Sequence, residues 1–297
     1  MIVITAPTGN IGHQVVDNVL ADDQPVRVIV RDPAKLSARV RDRVEVIQGS
    51  HGDPGVVTRA FSGADALFWL VPPDHHAASV DAAYAGFTRP AAEAIRTQGV
   101  SRVVDVSALG RGTACAGRAG HVTASLAMDD LIASTGVAFR ALALPSFMDN
   151  LLRQAKVIKE QGMFFDTISP ERQLPAVATR DVAAVAARLL LEDSWTGQQE
   201  VPLLGPEDLS ATDMAAVVSE VLGTPVRCQQ TPLQALKDRL TGNGMSEAMA
   251  SGMLDMMRAK DNGLDNGVAR TPLNATQTPT TFREWCEYAL KPAVRAA

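Results

Sequence analysis

The sequence predicts an α/β protein: a doubly wound parallel sheet followed by a smaller α/β region. Two observations carry this. Over the first 150 residues, short β-rich runs alternate with longer helical patterns. The runs also lack the apolar/polar alternation of a half-exposed strand, as expected for strands covered on both faces. Right-handed crossovers between such strands wind the sheet in both directions.

The elements follow in order. "MIVITA" opens as a strand, and Ile11, Val15, Val16, Val19 and Leu20 then recur at helical spacing. "VRVIVRD", "VEVIQGS", "ALFWLVPP", "SRVVDVSALG" and "VAFRALALP" continue the strands, with an Ala-rich crossover helix over 81–98. After Pro145 the rhythm changes. "TRDVAAVAARLLLED" and "SATDMAAVVSEVLG" read as amphipathic helices separated by a short strand, "QEVPLLG". Ser210 is placed to cap the second helix and Gly223 to end it. "MSEAMASGMLDMMRAK" carries methionines at helical spacing, a face that either packs on the core or lines a pocket for a flat apolar ligand. The stretch from Asp261 to Thr281 reads as a turn-rich loop before a last helix, "TFREWCEYALK". The expected division is a nucleotide-binding domain over 1–150 and a substrate or lid region over 151–297, with some later strands and helices returning to the first domain.

Composition narrows the function classes. The chain has 297 residues, 46% apolar and 21% charged, with a net charge of −5. It is therefore long enough for a sizeable core, and nucleic acid is a poor partner for a surface of this charge. Apolar runs are too short to span a bilayer, and the N-terminus enters a strand pattern directly, so a cytoplasmic protein with no membrane partner is expected. Three widely spaced cysteines suit neither a disulfide framework nor a metal motif. His75 and His76 lack a third ligand at useful spacing, so no metal is expected.

The loop "TAPTGNIG" lies between the first strand and the first helix. It spells Ala6-x-x-Gly9-x-x-Gly12, a dinucleotide-binding pattern whose first glycine is replaced by alanine. Gly9 is expected to let the backbone turn, and Gly12 to let the helix start close to the strand. Ala6 fits a tight turn provided its φ stays negative. Amide groups at the helix start suit a diphosphate. At the end of the second strand, Arg31 and Lys35 favour the ribose phosphate of NADP(H). Asp32 keeps NAD(H) as the alternative.

The segments "TAPTGNIG", "VRDPAKL", "ADALFWLVPP", "VSRVVDVSALG", "HVTASLAMDDLIASTGVAFRALALPSFMDNLL" and "VATRDVAAVAARLLLED", in this order and spacing, resemble the NmrA-like branch of the atypical short-chain dehydrogenases. The resemblance covers nearly the whole chain. It implies a Rossmann domain binding NAD(P)(H), with Thr8, Gly9, Asn10, Ile11 and Gly12 at the diphosphate and Arg31 and Lys35 at the adenosine ribose. Val71, Pro72 and Ser107 are implied along the nicotinamide side. Pro145, Ser146 and Phe147 are implied at the border of the nicotinamide and substrate pocket, and Met148 is a further substrate candidate.

Carbonyl-reducing members of that superfamily carry a Tyr-x-x-x-Lys pair, in which the phenol is the proton donor. This chain has two tyrosines, Tyr84 and Tyr288, and neither has Lys at the fourth following position. The Lys of the family's His…Lys…Glu pattern is Ser125 here. His121 and Ser107 are the remaining candidates for proton donation or substrate anchoring. Asp105, mid-strand, needs a partner if buried and has no evident role. An acceptor that is already conjugated asks less of the protein. The expectation is therefore an NAD(P)H-dependent reductase of a quinone or similar flat aromatic acceptor, working as a monomer or homodimer. It extends to an anthraquinone-type step of aromatic polyketide biosynthesis coupled to ring hydroxylation. The alternative is a non-enzymatic NAD(P)-binding redox sensor.

Overall fold

A computed structural model describes residues 1–297, which form two compact units built from interleaved segments. The first unit comprises 1–108, 124–143 and 182–201, and the second comprises 109–123, 144–181 and 202–297.

In the first unit, the strands are β1 (Ile2–Ile4), β2 (Val26–Val30), β3 (Val44–Gln48), β4 (Ala66–Trp69), β5 (Arg102–Ala108) and β6 (Ala138–Leu144). A seventh strand, Gln198–Pro202, completes one sheet, and the spatial order is Gln198–Pro202, β6, β5, β4, β1, β2, β3. Residues Ile2 to Ile4 pair in parallel with Val26 to Val28 on one side and with Ala66 to Phe68 on the other. The order reverses between β1 and β4, the point where doubly wound sheets open a ligand crevice at the carboxyl ends of their strands.

The crossover helices include α1 (Asn10–Ala21), α2 (Ala38–Arg41), α3 (Pro54–Phe61), α4 (Phe87–Gln98) and α5 (His121–Ala133). Helix α1 forms because Ile11, Val15, Val16, Val19 and Leu20 fall on one face and are all buried. Strands β1 and β4 are buried at every residue, whereas β3, at the sheet edge, is half-exposed. Expecting every strand to be covered on both faces was therefore too broad: an edge strand has neighbours on one side only. Phe61, Leu67, Trp69, Ile95 and Val103 sit at the centre of the core.

The second unit holds a three-stranded sheet in the order Asp208–Leu209, Leu174–Val177, Ser146–Phe147. Arg227–Gln230 pairs in parallel with Met163–Asp166. The helix Ala211–Leu222 begins at Ser210, whose hydroxyl and Asp213 form a reciprocal capping box, and it ends at Gly223 with φ +72°. The turn-rich stretch after Asp261 holds more order than expected: Pro272–Gln277 is a helix, with Thr271 and Asn274 bonded at its start. The segment 109–123 joins this unit by close backbone approach. A Cβ on Gly120, at φ +53°, would lie 1.9 Å from the Gly252 carbonyl oxygen, so only glycine fits there. No helix is long and apolar enough to cross a membrane.

Candidate active site

The nucleotide loop is assembled by three contacts. Thr5 Oγ1 donates to the Phe68 carbonyl at 3.1 Å and accepts from the Leu70 amide at 2.8 Å, tying the end of β1 to the end of β4. The chain then turns at Ala6, where φ is +49°, and the Gly9 amide donates back to the Ala6 carbonyl at 3.0 Å. This corrects the expected division of labour. Ala6 takes the left-handed conformation, at a cost on the order of 1–2 kcal/mol for a residue with a Cβ, and Gly9 is the extended N-cap of α1 with φ −82°. Gly12 is required by space, since a Cβ there would lie 2.1 Å from the Ala6 carbonyl oxygen.

No side chain caps the start of α1. A glycine-only contact beside an uncapped helix N-terminus makes a turn whose free amides and close backbone approach suit a diphosphate.

The other predicted cofactor residues of this unit lie at the same edge, because parallel pairing brings the carboxyl ends of β1, β2, β4 and β5 together. Arg31 and Lys35 follow β2 and are exposed. Asp32 accepts from the Ala34 amide at 3.1 Å, capping the short turn Pro33–Lys35, so one of its oxygens is already engaged. Val71 is buried and Pro72 exposed just after β4. His51, which follows β3, sits edge-on to Trp69 and Phe87. Burial, the largest influence, lowers its pKa to about 4, so its ring is neutral at pH 7.

Ser107 is the penultimate residue of β5 and is buried, and its hydroxyl donates to Asp129 Oδ2 of α5 at 2.5 Å. Asp105, two residues earlier on the same strand face, is completely buried as well. Burial first, and then the facing Asp129 carboxyl, push its acid well above the usual carboxylate range. Neither Asp105 nor Asp129 was among the sequence-predicted site residues. The helical spacing of His121, Ser125 and Asp129, four residues apart on one face, was a signal that could have drawn attention to Asp129.

In the second unit, Pro145 is buried, Phe147 is half-buried on the strand Ser146–Phe147, and Met148 packs into the apolar core with 4% exposure. His121 is buried, and its Nε2 donates to the Met249 carbonyl at 3.0 Å. That nitrogen's proton is committed to the chain. Tyr84 is packed against the core of the first unit, its phenol pushed up to about 12 by burial. Tyr288 stands over the Arg180 guanidinium, 4.1 Å from ring centre to charge.

Comparisons with known proteins agree with this geometry. The sequence profile of NAD(P)H-binding proteins matches residues 7–193. An NAD(P)H azoreductase of Xenophilus azovorans is 29% identical over 293 residues, covering 97% of this chain and 97% of that protein. The fold superposes on the NADPH-dependent quinone oxidoreductase of Escherichia coli, solved with NADPH, at a TM-score of 0.78. There the identity is 23%, over 96% of this chain and 98% of that one. It also superposes on NmrA, a negative transcriptional regulator solved with NADP, at a TM-score of 0.75. That identity is 12%, over 99% of this chain and 97% of that one. With its loop, sheet order and sequence profile in agreement, the chain belongs to the NAD(P)H-binding family and has the fold of the NmrA-like atypical short-chain dehydrogenases.

Proposed function

We propose that this protein is an NAD(P)H-dependent reductase of a quinone or another flat, conjugated acceptor. The observation that carries the reading is the uncapped start of α1, with Gly12 against the Ala6 carbonyl, placed where the sheet reverses its order. Thr8 to Gly12 would hold the diphosphate. The exposed cations Arg31 and Lys35 would take a ribose phosphate, while Asp32 is partly engaged in capping, which favours NADP(H) over NAD(H). The reduced nicotinamide supplies a hydride when bound.

The protein's remaining task is orientation. Tyr84 and Tyr288 are both pushed up to about 12, and no Lys follows either at the spacing a phenolic acid requires. A conjugated acceptor needs little acid help, because the oxygens of its reduced form are far more acidic than an alcohol. Holding the flat rings in register is then the larger part of catalysis. Ser107 is the polar group assigned to ligand orientation. His121, tied to Met249, is assigned to holding 109–123 against the helix Glu247–Asp261. The similarity to an azoreductase and a quinone oxidoreductase supports an acceptor of this class.

The test is anaerobic NADPH oxidation with a panel of benzoquinones, naphthoquinones, anthraquinones and azo dyes. Turnover of at least one acceptor is expected, with NADPH preferred to NADH. Oxygen uptake with an anthraquinone would mark coupled ring hydroxylation. Tight NADPH binding with no turnover of any acceptor would instead support the regulator reading that the likeness to NmrA suggests. Gly12→Val should abolish nucleotide binding in calorimetry while the protein stays folded, and retained binding would contradict the cradle.

A further inference from the structure

Doubly wound sheets bind ligands at the carboxyl ends of their strands, so the loops that follow β1, β2, β4 and β5 supply the contacts. The loop after β5, residues 109–120, has the most one-sided charge of the four. It reads "LGRGTACAGRAG", with two arginines and no acid, in a chain of net charge −5. The loop after β2 mixes Arg31 and Lys35 with Asp32, and the loop after β4 holds Asp74 and Asp81. Arg111 and Arg118 are both exposed. The Arg118 amide donates to the Cys115 carbonyl at 2.9 Å, while its guanidinium has no partner. The helix packed on this loop does not neutralise it, because each of its acids is already engaged. Glu247 pairs with Lys237, Asp255 pairs with Arg258 at 3.0 Å, and Asp261 accepts from the amide and hydroxyl of Ser169. Asp265, just beyond, is taken by Lys260.

The backbone that carries these cations is held at both ends. Leu109 is fully buried, and its amide donates to the Leu144 carbonyl at 3.0 Å. A Cβ on Gly110 would lie 2.7 Å from the side chain of Leu264, which is 1% exposed. At the far end, Gly120 abuts Gly252, and Thr123 Oγ1 accepts from the Ala119 amide at 2.8 Å and donates to the Ala116 carbonyl at 2.7 Å. Between these anchors, Thr113 Oγ1 donates to the Gly110 carbonyl at 2.7 Å, and Ala116–Arg118 forms one tight turn. Fixing the loop before a ligand arrives lowers the ordering cost of binding. We propose that the loop 109–120 recognises an anionic substituent on the acceptor, with Arg118 as the contact and Arg111 adding to the local positive field. The inference rests on the reductase reading and narrows its substrate class to flat conjugated rings that bear a sulfonate or carboxylate, groups whose oxygens match the planar fork of a guanidinium. The substituent takes no part in hydride transfer. Arg118 is therefore a specificity residue.

The test compares 1,4-naphthoquinone-2-sulfonate with 1,4-naphthoquinone in steady-state assays with NADPH. The sulfonate is ionised at every working pH, and comparing variants cancels the difference in intrinsic reactivity between the two quinones. Arg118→Gln should lower the ratio of kcat/KM for the sulfonate to that for the parent by about 3-fold, the size expected for one exposed ion pair. The KM for NADPH and the parent's kcat/KM should stay unchanged. Arg118→Lys keeps the charge and should keep most of the ratio. Added salt should lower the wild-type ratio toward that of Arg118→Gln. A ratio indifferent to Arg118→Gln, or to salt in the wild type, overturns the proposal and leaves the reductase reading standing. Binding supplies a readout free of turnover. Calorimetry with anthraquinone-2-sulfonate, on the full-length protein saturated with NADP, should show affinity weakened about 3-fold in Arg118→Gln. Equal affinity in the wild type and the variant overturns the proposal. The expected loss of affinity, with no quinone reduced, supports the anion site and counts against the reductase reading alone.

Discussion

Two carboxyl groups removed from water, one in each unit, are accommodated in opposite ways. Asp265 in the second unit, 1% exposed, meets the Lys260 ammonium at 2.5 Å, and that lysine is itself 5% exposed. Asp105 in the first unit meets another acid. The first arrangement neutralises a buried charge with a counter-ion; in the second, burial and the facing acid favour the protonated form of Asp105. The difference separates a contact that secures the fold from one that can respond to pH. The ion pair ties Lys260, in the last turn of the helix Glu247–Asp261, to Asp265 in the turn Leu264–Asn266. The acid pair stands under Ser107 at the carboxyl edge of the sheet, where ligands of such folds bind.

The contrast can be broken most forcefully at Lys260. Lys260→Met leaves Asp265 buried and uncompensated, which should cost about 3–5 kcal/mol of stability. A fall in the denaturant midpoint at unchanged slope would report it. Lys260→Met with Asp265→Leu removes both charges, and Asp265 Oδ1 already lacks a hydrogen-bond partner. Most of the loss should then return, and a double variant no better than the single one would show that the pair is needed for more than charge balance.

Asp105→Asn sharpens the other side. An acid raised in the folded state binds its proton more tightly there than in the unfolded chain. Its contribution is therefore complete below the ordinary carboxylate value of about 4 and is lost as pH rises toward and through the raised value. The wild type should lose stability relative to Asp105→Asn as pH increases across that window. Parallel melting curves over the whole range would place the proton elsewhere. Ser210→Ala supplies the small yardstick: removing this cap should cost about 1 kcal/mol, with no pH dependence near neutrality, measured by the same denaturant titration.

Much of the architecture was legible because it rests on local periodicity. The alternation of strands and helices in the first unit, the Ser210 cap and the Gly223 stop follow from spacing and from residue chemistry that acts over one or two turns. The nucleotide loop was legible as a motif, but its strain was assigned to the wrong residue. Alanine at position 6 carries the positive φ, because the glycine that must be small is Gly12, pressed on the Ala6 carbonyl. Met148 looked like a candidate substrate contact and packs in a core. Whether a methionine faces a ligand or a neighbour depends on what the chain brings over it, and spacing is silent on that.

The sequence by itself determined the order of elements, the parallel sheet and a glycine loop of the kind that suits a diphosphate, since strand and helix periodicity and glycine placement are local properties. Only the tertiary structure decided that 109–123 packs against Gly252, and that Asp105 finds Asp129 for a partner while Ser107 gives its hydrogen to the same acid. The reason is physical. The burial of a polar group and the identity of what faces it are set by segments far apart in the chain, and a carboxylate reads the same in sequence whether its neighbour is water, a lysine or another acid.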